Sequence, residues 1–295
     1  MDQASQLRNI IKNQAAPRPR ARVITVTSGK GGVGKSNVAI NLAIQFRKLG
    51  QRVIILDADL GLANIEIMFG TVPKHNLSDL IYQGKNIREI ITWGPMDVGF
   101  ISGGSGITRM SQLDREYLTY IIVNLAELDA IADTVIIDTG AGIADSVMEF
   151  LVASGEIILV TTPEPTSITD SYSLLKALNQ NARFQKENTQ IKVVSNLVAS
   201  ENEGRVLFNK LNAVVARYLK LPMTYLGAIP RDQALANAVM QQTPVSMQNP
   251  QAKSSKAFER IVGELTDNDE LKRAHSRGMA AFFSHIISGK QSGGI

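Results

Sequence analysis

The chain has 295 residues, of which 44% are hydrophobic and 20% charged, the usage of a protein that buries its own core rather than of a disordered or fibrous one. It contains no cysteine, which excludes disulfides, thiolate-held zinc or iron–sulfur centres and any thiol nucleophile. The net charge of +4 is carried by Arg8, Lys12, Arg18, Arg20 and Arg22 against Asp2, so the rest of the chain is neutral and gives no support for nucleic-acid binding. No apolar run nears the ~20 residues needed to cross a bilayer, and no apolar signal core opens the chain, so the expected location is cytoplasmic.

Residues 1–22 begin with a polar stretch suited to a short helix and continue through Ala15-Ala16-Pro17-Arg18-Pro19-Arg20, where two closely spaced prolines favour an extended linker. We read this as an arm on a body spanning 23–267. The β-branched runs 23–27, 53–57, 98–101, 134–138, 157–161, 192–196 and 226–229 predict strands, and 35–49, 111–130, 144–153, 167–182 and 203–219 are long enough for helices. Apolar strands alternating with helices predict an α/β fold, doubly wound around a mostly parallel sheet of about seven or eight strands.

Residues 268–295 read as an amphipathic helix and tail. At ~100° per residue Met279, Phe282, Phe283, Ile286 and Ile287 share one sector, with Arg273, Arg277 and Ser284 opposite. Such a helix either packs on the body or lies reversibly in a lipid surface. His75, His275 and His285 lack metal-ligand spacing.

Three motifs carry chemistry. After the first predicted strand comes Gly29-Lys30-Gly31-Gly32-Val33-Gly34-Lys35-Ser36, leading into a helix at Asn37. This is a phosphate-binding loop: its glycines let backbone N–H groups converge on phosphate, Lys35 reaches the outer phosphates and the Ser36 hydroxyl is a magnesium ligand. The second strand ends in Asp57 and Asp59, at the carboxyl edge where open α/β sheets bind ligands. The strand 134–138 ends in Asp138, followed by Gly140 and Gly142.

Lys30 is an extra cation for such a loop, and Lys-Gly-Gly-Val-Gly-Lys-Ser resembles the deviant Walker A of the MinD/ParA family of Mg2+-dependent ATPases. That resemblance implies a dimer formed with ATP, in which Lys30 reaches the partner subunit's nucleotide, as an arginine finger would. It also implies Asp59 as the water-positioning carboxylate, Asp57 and Asp138 near magnesium, Asn64 as a switch residue sensing ATP or ADP, and the Gly142 amide toward the γ-phosphate. Asn196 and the segment Pro230, Arg231 and Asp232 fall where the family contacts adenine. The amphipathic end resembles the family's membrane-targeting sequences.

Asp2, Gln3, Leu7 and Arg8 resemble the Asp-Gln-Ala-x-x-Leu-Arg activator motif of the FlhG (YlxH/FleN) group within that family, regulators of flagellar number and placement. The resemblance implies that this arm stimulates FlhF, a signal-recognition-particle-type GTPase, with Gln3 at its nucleotide site, and that flagellar switch and C-ring proteins are further partners. It implies an enzyme peripherally attached to the inner face of the cell membrane. Iron–sulfur carriers of the same fold need cysteines, and tyrosine kinases of this fold need a C-terminal tyrosine cluster, whereas the last tyrosine here is Tyr225. A septum-site MinD, a ParA-like cargo positioner and a nucleotide-gated scaffold remain as alternatives, the first weakened by the arm that precedes the loop.

Overall fold

A computed structural model of the chain describes residues 20–59, 64–103, 115–267 and 278–290. Its strands are β1 (Arg22–Ser28), β2 (Val53–Ala58), β3 (Thr92–Trp93), β4 (Gly99–Ser102), β5 (Thr134–Ala141), β6 (Glu156–Thr161), β7 (Gln190–Val198) and β8 (Met223–Pro230). They form one sheet in the order β3-β4-β2-β5-β1-β6-β7-β8, parallel except for β3 against β4. This is the expected doubly wound architecture. The short antiparallel β3 and its turn were not anticipated, because two residues offer no periodicity to read.

The α-helices are α1 (Lys35–Lys48), α2 (Asn64–Phe69), α3 (Leu77–Tyr82), α4 (Ile87–Ile90), α5 (Arg115–Ala126), α6 (Leu128–Ile131), α7 (Asp145–Ala153), α8 (Pro165–Gln180), α9 (Glu201–Tyr218), α10 (Gln233–Met240), α11 (Val245–Gln248), α12 (Lys253–Thr266) and α13 (Gly278–Lys290). Side chains along a strand alternate between faces, so Val53 and Ile55 join α1 and α12 in one core while Ile54 and Leu56 join α13 in another. A third cluster joins β6 and β7 to α8 and α9. Burial on both faces is why the strands read as continuous apolar runs. Helices α3 and α4 escaped the periodicity reading, yet each has a capping box in the sequence: Asn76 with Asp79, and Asn86 with Glu89.

At one end of the chain's body the structure moves a boundary of the sequence reading, and at the C-terminal helix it shows one of the two alternatives that reading left open. Arg22, assigned to the arm, belongs to β1 and is 5% exposed. Its Nε and Nη2 each lie 2.8 Å from the Glu156 carboxylate and its Nη1 donates to Leu265 O at 3.0 Å, so its charge is spent inside the body. At the other end, α13 lies on the sheet, with Met279, Phe282, Phe283 and Ile286 buried among Leu128, Phe150 and their neighbours. Phe282 stacks on Phe150 with ring centroids 6.1 Å apart. In this structure the sector expected to face lipid is core, while the Ile287 side chain lies outside what is described.

Candidate nucleotide site

The carboxyl ends of β1, β2 and β5 bring the three motifs together. Gly32 and Gly34 have φ of 77° and 88°, the left-handed region that lets the loop turn its backbone inward. Gly29 is required for a different reason: a Cβ there would lie 2.2 Å from the Asp170 carbonyl carbon, because α8 presses on the loop. Helix α1 begins with no side-chain cap and no acidic residue in its first turn. Its positive end is thus left for an anion.

Lys35, 7% exposed, donates to Asp138 Oδ1 at 3.1 Å and lies 3.7 Å from Asp59 Oδ2. Asp57 stands opposite Asp138 in the β2–β5 register, and its Oδ1 accepts the Asp59 N–H at 3.1 Å. Asn64, at the start of α2, donates to Asp59 Oδ2 at 3.4 Å, so the expected switch residue touches the expected water-positioning carboxylate. Three carboxylates therefore gather at the strand ends, two of them paired with the one ammonium. Burial raises the Asp138 pKa against the opposing pull of Lys35 and the Ser36 hydroxyl, and Asp138 Oδ2 is buried with no hydrogen-bond partner. An orphaned carboxylate oxygen beside excess negative charge fits a magnesium ion brought in with phosphate, for which Ser36 would be a direct ligand, Asp138 would hold the ion through water and Asp57 would stand near it. Among the described residues no three His, Cys, Asp or Glu side chains form a metal cluster by themselves. Magnesium bound there would neutralise charge on the phosphates, and of the chain's own groups Lys35 stands where it would meet those phosphates and Asp59 where it would orient an attacking water.

Burial first, and then the neighbouring Asp138 carboxylate, push the Asp57 pKa up to about 7. The folded protein therefore holds that proton more tightly than the unfolded chain does between the ordinary 3.8 and about 7, and nucleotide-free stability falls as pH rises through that window. From pH ~6 to ~8 this one group should cost about 1.4 kcal/mol. Denaturant titrations at the two pH values should show that difference shrink in Asp57→Asn; an unchanged difference would mean that Asp57 titrates normally.

The remaining predicted residues are placed less simply. Lys30 does not enter its own phosphate site: its ammonium donates to Glu164 Oε2 at 2.5 Å and to Thr166 Oγ1 at 2.9 Å, at the start of α8. Glu164 and Thr166 were missed because no motif marks them. Gly31 borders open space, Val33 is buried under the loop, and the Asn37 carbonyl accepts from Asn41 Nδ2 within α1. The Gly142 amide donates to Ser28 O at 2.9 Å here, rather than standing free for a phosphate. Asn196 is 2% exposed; its Nδ2 donates to Val33 O at 2.7 Å and its Oδ1 accepts from the Leu197 amide, so it braces the loop from below. Pro230 ends β8, and Arg231 donates to Leu197 O and Val198 O. The Asp232 carboxylate caps α10 at Ala234 N and accepts from Ser254 N and Oγ, which makes it a structural tie and leaves it little capacity as a nucleotide ligand. Asp2, Gln3, Leu7 and Arg8 lie outside the described residues.

This loop, its two lysines and the facing carboxylates belong to a chain whose residues 20–266 match the ParA family model, described as NUBPL iron-transfer P-loop NTPase. The chain is a member of the ParA/MinD family of P-loop NTPases. The iron transfer in that description finds no cysteine ligand here. Within the family, the chain is 40% identical over 262 residues to the antiactivator FleN of Pseudomonas aeruginosa, covering 89% of this chain and 91% of that one. It is 32% identical over 295 residues to the flagellum site-determining protein YlxH of Helicobacter pylori, covering 97% and 98%. The cell division ATPase MinD of Pyrococcus furiosus superposes with a TM-score of 0.64 at 25% identity, covering 85% of this chain and 99% of that structure.

Proposed function

We propose that this protein is a magnesium-dependent ATP-hydrolysing switch that dimerises with ATP, attaches to the inner membrane surface and regulates flagellar number and placement, stimulating an FlhF-type GTPase through its N-terminal arm. The observation that carries the ATPase reading is the convergence of Lys35, Asp59 and Asp138 on one point at the mouth of the loop. The flagellar reading is supported by the near full-length similarity to FleN and YlxH. Lys30, only 35% exposed and tethered by Glu164, has to leave that tether to reach a partner's nucleotide, which makes its cation available only when two copies meet. Membrane attachment likewise begins with undocking of α13, because its apolar face is core in the single chain. No described helix is long and apolar enough to cross a membrane, so attachment is by this face. Two such feet per dimer bind more tightly than one, which links attachment to ATP.

The test measures oligomeric state and partner turnover on the full chain. A nonhydrolysable ATP analogue should convert the protein from monomer to dimer and Lys30→Ala should weaken that conversion, whereas ADP should leave the monomer. The protein should raise GTP turnover of its FlhF-type partner at least tenfold, and Gln3→Ala should remove most of that rise without loss of binding. A monomer with the analogue would sink the switch, and an unstimulated partner would sink the flagellar activator role.

A further inference from the structure

One carboxylate holds both ends of the chain. Asp129, on α6, accepts the Ala21 N–H at 3.2 Å and the Met279 N–H at 2.9 Å on the same oxygen, Oδ1. Ala21 is the last residue before β1 and so the root of the N-terminal arm; Met279 is in the first turn of α13. That first turn has no acidic residue of its own, so Asp129 supplies from another element the negative charge and the acceptor that a helix N-terminus lacks. The approach is close: Gly278 has a φ of +66°, and a Cβ there would stand 2.7 Å from Asp129 Oδ2. Arg20 adds a favourable charge from the arm side. Apolar packing follows the same pairing, because Ala21, 1% exposed, belongs to the cluster that receives Met279, Phe282 and Phe283.

We propose that Asp129 is a clasp that couples the root of the N-terminal arm to the docked C-terminal helix, so that release of either end loosens the other. When α13 leaves, Asp129 loses its Met279 donor and Ala21 loses part of its apolar cover. When the arm root leaves, the acceptor that caps α13 is no longer fixed by its second donor. The coupling is reciprocal, as any equilibrium linkage must be. Resting on the reading of α13 as a membrane foot and of the arm as a partner activator, the clasp makes a lipid surface that captures α13 also free the arm at its root, so that the partner is stimulated preferentially at the membrane.

Hydrogen exchange on the full-length ADP-bound chain tests the clasp without any membrane. In Asp129→Ala, amides of Met279–Phe283 and of Ala21 should exchange about tenfold faster or more, while those of β5 stay as in wild type. Gly278→Ala adds its methyl group on the helix side and leaves the clasp carboxylate in the chain, and either the helix start or that carboxylate must move to make room; its effect should be read at the other end, as several-fold faster exchange at Ala21. Wild-type exchange at α13 in Asp129→Ala, or at Ala21 in Gly278→Ala, overturns the clasp. Sedimentation with anionic vesicles then separates the clasp from the reading it rests on. Asp129→Ala should bind vesicles with ADP as wild type does only with ATP; faster exchange without vesicle binding leaves the clasp standing and removes the membrane foot.

Discussion

Lys35→Ala should abolish ATP turnover and weaken nucleotide binding by at least a hundredfold, the largest catalytic loss expected from any single change in the chain. Its ammonium is the cation between Asp138 and Asp59, and no other described lysine or arginine forms an ion pair with either. Removing one partner of a buried pair costs ~3–5 kcal/mol where the remaining charge has no escape. Here Asp57 and Asp138 already have raised pKa values, so proton uptake absorbs part of that loss and the variant should be less destabilised at pH 6 than at pH 8. Asp59→Ala separates the chemical step from binding. The Lys35–Asp138 contact survives in it, so ATP should still bind while single-turnover hydrolysis falls by ~10²–10⁴, the usual worth of a positioned base. Wild-type turnover in Asp59→Ala would remove Asp59 from the hydrolytic step, and retained ATP affinity in Lys35→Ala would remove Lys35 from the phosphates.

Phe282→Glu should undock α13 from the body without unfolding it. Phe282 is 2% exposed, stacked on Phe150 and 5.3 Å from the Phe283 centroid, so the change deletes an aromatic contact and places a carboxylate among apolar side chains. Truncating a buried phenylalanine alone costs ~3–5 kcal/mol, and an unpaired buried charge adds to that. A terminal helix can avoid the cost by leaving. Exchange along α13 should therefore rise to near that of an unprotected peptide, with the β1–β5 amides still protected. The same charge should abolish ATP-dependent sedimentation with anionic vesicles. Unchanged exchange would contradict the packing seen here, whereas an undocked helix that still carried the protein onto vesicles would mean that another surface meets the lipid.

The sequence was most legible where chemistry demands a fixed spacing. The loop from Gly29 to Ser36 announced its position, its turn and its helix, because phosphate binding leaves few ways to arrange backbone N–H groups. Seven of the strands were readable because burial on both faces enforces continuous apolar runs. The helix α12 carries Phe258, Ile261, Val262 and Leu265 on one buried side, an apolar face of helical period. Asp232 illustrates the opposite case. Proximity to the expected adenine segment suggested a ligand, but an acidic residue before a helix is as well suited to capping, and only the contacts with Ala234 and Ser254 distinguish the two.

What the sequence determined by itself was the fold class, the phosphate loop and the identity of the carboxylates at the strand ends, all set by local spacing and by period. Tertiary structure decided which partners those groups have. Lys30 meets Glu164 across 134 positions, Arg22 meets Glu156 across the same separation, and Asp129 meets Met279 across 150. It also decided that the apolar side of α13 is core in the single chain, a choice between body and lipid that an amphipathic pattern leaves open, since both remove the same apolar area from water. Such pairings depend on how strands order themselves in the sheet, and strand order is fixed by packing among distant segments that no local pattern records.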